Sequence, residues 1–130
     1  MMTIKQFVER YYLHDSSLVK VEFDADNKIL ALTIEFCFWM QEWYDKSEPS
    51  NGLIRATFKD VSVFEYDDCI AKKIFSGIDS EIRYGEIDAE GKFILFAVEE
   101  PFNSEDDDIY FLLKINAASV DVEELERYTL

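Results

Sequence analysis

Apolar and polar residues alternate along much of this chain, and the alternation begins at Val19. Val19, Val21 and Phe23 fall on one side of a first run and Lys20, Glu22 and Asp24 on the other, the pattern of a half-buried strand. A second run is longer. Leu30, Leu32, Ile34, Phe36, Phe38 and Met40 share one face, with Ala31, Thr33, Glu35, Cys37, Trp39 and Gln41 opposite. Between the two runs, Asp24-Ala25-Asp26-Asn27 supplies turn chemistry, because Asp and Asn tolerate tight backbone geometry. The two runs are therefore expected to pair as a hairpin. Ahead of them, Thr3 can cap a short helix on which Ile4, Phe7, Val8 and Tyr11 form one apolar stripe.

The second half continues the strand pattern with more interruptions. Residues 45–52 read as a loop, followed by a strand at about Leu53–Phe58. The stretch 60–66 reads as a second strand, or as a continuation of the first past a bulge. Ile70, Ile74 and Ile78 recur every four residues and suggest a short helix that ends near Gly77. Ile82, Tyr84 and Ile87 alternate with a slip that a bulge at Gly85 would explain. Asp88-Ala89-Glu90-Gly91 is a hairpin turn in which Gly91 can take positive φ. Phe93–Val98 is apolar throughout, as a strand buried on both faces would be, and Ile109–Ile115 is another apolar strand. Residues 104–108 form a solvated acidic loop, and the tail from Val120 holds a short strand or helical turn.

Six to eight strands and one leading helix, with hairpin turns and no strand–helix–strand alternation, predict a single mainly β (α+β) domain over residues 1–130. The architecture expected is an antiparallel β-sandwich or a strongly curved sheet with one N-terminal helix.

Charge narrows the function classes. The 130 residues hold 13 Lys and Arg against 28 Asp and Glu, for a net charge of -15. Residues 1–65 carry 11 acids and 7 bases, and residues 66–130 carry 17 acids and 6 bases. Such a surface repels phosphates and anionic headgroups, which argues against nucleic-acid and membrane binding, and it attracts basic proteins. Acidity also serves plain solubility. The N-terminus lacks the apolar core of a signal peptide, so a cytoplasmic location is the expectation.

Candidate chemistry is sparse. His14, the sole histidine, stands beside Asp15. A general base oriented by a carboxylate is one reading; a structural corner, with ring and carboxylate holding backbone amides, is the favoured one. Asp24, Asp26 and Glu35 fall at calcium-loop spacing, but Lys28 and Ile29 occupy places that need a ligand and a glycine, so no metal is expected there. Cys37 reads as a buried free thiol, although one disulfide with Cys69 is formally open. No phosphate-binding glycine loop or nucleophile motif occurs. No catalytic residue, metal or cofactor is assigned.

Trp39, Trp43 and Tyr44 end the longest strand run, with Trp39 and Trp43 on the face opposite Phe36 and Phe38. They are either a second core face beneath the helix, the favoured reading, or an interface anchor of the kind Trp and Tyr supply. Together with the acidic residues Asp67, Asp68, Asp106, Asp107 and Asp108 they are the candidate binding residues.

The stretch Tyr12-Leu13-His14-Asp15-Ser16, followed by Leu18, Val19 and an alternating hairpin, resembles small bacterial β-rich domains of unknown function with a Leu-His-Asp-Ser corner. These are similar to some immunity proteins of polymorphic toxin systems. The resemblance covers residues 10–40 and implies a β-rich fold behind a leading helix; it carries over no catalytic or binding residue. The expectation from charge and resemblance together is a non-catalytic acidic domain that binds a basic protein, an immunity-type role included. A self-associating structural module and a carboxylate-based hydrolase are the alternatives.

Overall fold

The computed structural model describes residues 1–66, 80–99 and 109–129. The helix α1 (Ile4–Arg10) is followed by strands β1 (Ser17–Asp24), β2 (Ile29–Cys37), β3 (Asn51–Lys59), β4 (Val63–Tyr66), β5 (Ser80–Ile87), β6 (Phe93–Glu99), β7 (Ile109–Asn116) and β8 (Ser119–Tyr128). They form one antiparallel sheet in the order β4-β7-β6-β5-β1-β2-β3-β8. The predicted mainly β fold is found, as a single open sheet rather than two sandwiched sheets.

The sheet is strongly curved. Phe58 on β3 and Phe93 on β6 lie four strand spacings apart, about 19 Å on a flat sheet. Their rings nevertheless stack with centroids 5.8 Å apart. Phe23 on β1 and Phe64 on β4, also four spacings apart, meet at 5.0 Å. β1 and β5 are joined only briefly, through Ser17↔Glu81 and Leu18↔Ser80. Helix α1 lies over the inner face. Its Thr3 cap forms a capping box with Gln6, and Phe7 packs edge-on against both Phe58 and Phe93. Leu30, Leu32, Ile34 and Phe36, the alternating positions of β2, are all fully buried in this core.

Several boundaries differ from the sequence reading. Val19 is the extra residue of a bulge in β1, so Leu18 and Val21 take the buried positions and Phe23 is 37% exposed. β2 stops at Cys37, and Phe38–Met40 wind into a 3-10 turn. Asn51 and Gly52 belong to β3 rather than to the preceding loop. A side chain at Gly52 would collide with the Glu126 carbonyl and approach Phe38 Cε2 to 2.9 Å, so only glycine lets β8 lie this close. Stretch 60–66 turns at Asp60 (φ 54°) and crosses to the far edge, where β4 pairs with β7.

The β5 bulge falls at Arg83, not at Gly85. Gly85 instead faces inward, where a Cβ would meet Leu13 and the Phe93 ring. In β6, Phe93, Leu95 and Ala97 are buried on one face, while on the other Val98 is buried and Ile94 and Phe96 are half-buried, so the expected burial of both faces holds only in part. Gly91 takes φ 82° in the predicted hairpin turn, and the tail forms a ten-residue strand. The helix expected near residues 70–78 and the acidic loop at 104–108 lie outside the described residues. No helix among the described residues is long and apolar enough to cross a membrane.

Candidate functional site

The residues that follow the fourteenth position anchor one end of the molecule. Asp15 adopts φ 67°, a left-handed conformation that Asp tolerates better than most residues. That turn sends the chain from Leu13, buried in the core, into β1. The Asp15 N–H donates to the Ile82 carbonyl and the Ile82 N–H donates to the Ser16 carbonyl at 2.7 Å. The buried Ser16 hydroxyl accepts from the Cys37 N–H at 3.1 Å. Main-chain groups and Ser16 therefore hold this corner. The His14 ring and the Asp15 carboxylate, given that role by the sequence reading, instead pair with each other: His14 Nδ1 and Asp15 Oδ2 are 3.2 Å apart, both half exposed. The His14 ring also stacks on Tyr12.

Cys37 is a free, buried thiol. Its Sγ donates weakly to the Asp15 carbonyl at 3.5 Å. Burial pushes its pKa up, which disfavours the reactive thiolate. The cysteine is thus part of the packing at this corner.

Gln41 ties the corner to the 3-10 turn. Its side chain is buried and reproduces the pairing of a strand neighbour. Oε1 accepts from the Tyr12 N–H at 2.8 Å, and Nε2 donates to the Tyr12 carbonyl at 2.8 Å and to the Cys37 carbonyl at 3.0 Å. Trp43 performs a similar service for α1. Its indole N–H donates to the Arg10 carbonyl at 2.8 Å, satisfying one of the acceptors left free at a helix end. The Arg10 guanidinium lies 4.5 Å over the Trp43 ring, which also packs edge-on against Tyr11.

The two tryptophans therefore separate. Because β2 ends at Cys37, they do not share a sheet face, contrary to the sequence expectation. Trp43 lies half-buried against the core beneath the end of α1, as the favoured reading has it, and Tyr44 joins it with its hydroxyl donating to the Glu48 carbonyl at 3.0 Å. Trp39 turns outward and is 53% exposed, its backbone N–H donating to the Ser50 carbonyl. Tyr12, 54% exposed, stands on the neighbouring segment that Gln41 holds. Between these segments and α1 runs an open groove of about 440 Å³, lined by Val8, Glu9, Arg10, Tyr12, Met40, Gln41, Glu42 and Trp43.

Tyr12, Gln41 and the groove residues of α1 were not singled out by sequence. A lone Gln gives no signal that its amide will replace a strand, and Tyr12 stood only as the first residue of the Leu-His-Asp-Ser corner stretch. Of the other predicted residues, Asp67, Asp68, Asp106, Asp107 and Asp108 lie outside the described residues. Among the described residues no group of three or more His, Cys, Asp or Glu side chains converges as a metal site. Asp24 is engaged in its own turn, accepting from the Asn27 backbone and side-chain N–H groups. Glu9 and Glu42 are both exposed, which is not the dry setting a carboxyl needs to act as a general acid.

The chain matches no family model, no curated protein and no solved structure at a significant level.

Proposed function

We propose that this chain is a non-catalytic acidic domain that binds a basic protein, in the manner of an immunity protein neutralising a toxin. The observation that carries the reading is the outward Trp39 ring on a turn fixed at both ends. Exposing half of an indole to water forgoes the favourable burial that its core neighbours enjoy. A fixed, exposed Trp, with a second exposed aromatic residue, Tyr12, on the segment that Gln41 ties to the same turn, supplies the residue types that dominate binding energy at protein interfaces. The net charge of -15 adds long-range attraction for a basic partner.

Self-association through the sheet edge is less well supported. The edge strand β8 carries exposed Glu123, Glu124 and Glu126 and a bulge at Leu125, features that discourage pairing between identical edges.

The experiment is co-purification of the full chain with basic products of the adjacent reading frames, at low and high salt. Wild type should bind one of them more weakly as salt rises. Trp39→Ala should lose at least about tenfold in affinity, as a central aromatic anchor does. Failure to bind any basic neighbour at low salt, or unchanged binding by Trp39→Ala, would refute the proposal.

A further inference from the structure

We infer that the groove between the end of α1 and the Met40–Trp43 segment receives a lysine or arginine side chain of the partner. This rests on the protein-binding reading above and names the chemistry of one contact within it.

The polar groups of the groove fall into two sets. Arg10 is committed to the Trp43 ring, and both ends of the Gln41 amide are committed to the main chain of Tyr12 and Cys37. The indole N–H of Trp43 is committed to the Arg10 carbonyl. Glu9 and Glu42 remain, both exposed and neither engaged in an ion pair or hydrogen bond among the described residues. Glu9 and Glu42 against the single Arg10 guanidinium, whose charge a ring contact does not cancel, leave the groove with a net formal charge of -1. Its apolar lining comes from Val8, Met40, Trp43 and the Tyr12 ring.

An apolar channel flanked by free carboxylates suits a ligand with an aliphatic stem and a cationic head. Lys and Arg lay their methylenes along apolar surface while the head group stays among polar partners. A carboxylate or phosphate ligand would meet Glu9 and Glu42 as like charges. The surrounding field, set by a net charge of -15, favours the cation as well. Tyr12, one of the exposed aromatic residues, lines the groove itself, so a partner that contacts Tyr12 is placed against it.

The test titrates the full chain with N-acetylarginine amide and, separately, with its uncharged counterpart N-acetylcitrulline amide, following the indole N–H resonances by NMR. Arginine should give a saturable shift of the Trp43 resonance that weakens with salt, and citrulline a much smaller one. Glu9→Gln and Glu42→Gln should each weaken arginine binding about threefold, since each removes one solvent-exposed ionic contact. Equal shifts with both compounds, no shift with either, or an unchanged affinity in the double variant would overturn the inference. Partner binding that survives in the double variant but is lost in Trp39→Ala would sink the groove and leave the protein-binding reading standing. Partner binding unaffected by either change would sink both.

Discussion

Replacing Gln41 by Met probes the contact on which the whole aromatic end depends. The two side chains are similar in volume, so the substitution leaves packing largely intact and removes only polar contacts. Three hydrogen bonds disappear, from Gln41 to the Tyr12 N–H, the Tyr12 carbonyl and the Cys37 carbonyl. At about 1 kcal/mol net for each intramolecular hydrogen bond, the loss is about 3 kcal/mol if nothing replaces them. Both Tyr12 groups lie in part-buried bonds that water can reach once the turn loosens, whereas the bond to Cys37 is buried. Partial rescue by water brings the expected loss to about 1.5–3 kcal/mol. Urea unfolding followed by tryptophan fluorescence measures it as a lower midpoint at unchanged slope. The same variant should broaden or shift the Trp43 indole resonance, because the segment carrying that ring loses its tether. A loss under about 0.5 kcal/mol, the range of ordinary surface substitutions, would refute the claim that Gln41 stands in for a strand.

Three further outcomes are expected. Gly52→Ala should destabilise the fold by more than about 3 kcal/mol or abolish it, because the clash is with the main chain of β8 and with Phe38 rather than with a flexible side-chain end; thermal unfolding reads this directly. Ser16→Ala should cost about 1–2 kcal/mol, since the buried Cys37 N–H loses its acceptor, and a second variant, Ser16→Thr, should retain part of it, both read by urea unfolding. Tyr128 has its pKa pushed up from 10.0 to about 12, chiefly by burial and then by its hydroxyl's 2.7 Å hydrogen bond to Glu35. A raised folded-state value means that this stabilisation is fully present below pH 10 and is lost as pH rises through 10 to about 12. Tyr128→Phe should accordingly flatten the stability profile in that window, and phenolate absorbance at high pH should lose a late-titrating component in that variant.

Much of the fold is local information. The alternation of Leu30, Leu32, Ile34 and Phe36 dictates both a strand and its buried face, because the side-chain period of an extended chain is two. Thr3 with Gln6 and the spacing of Ile4 and Phe7 likewise fix the helix start and its inward stripe. Asp24 to Asn27 and Asp88 to Gly91 mark turns through residues that accept unusual backbone angles.

What the sequence could not decide is wherever alternation runs on past the point at which the chain leaves the sheet. Phe38, Trp39 and Met40 continue the pattern of β2, yet they wind into a turn, so Trp39 turns outward while Trp43 packs half-buried against the core. That outcome depends on Ser16, Gln41 and Ser50, residues distant in sequence whose hydrogen bonds hold the segments together. The groove has the same origin: α1 and the segment after β2 are separated by some thirty positions and are brought together by tertiary contacts, among them the bonds of Gln41 to Tyr12 and of Trp43 to Arg10. Periodicity is a property of neighbouring residues, and the sharing of a surface by two distant segments is set by how the curved sheet closes over its core.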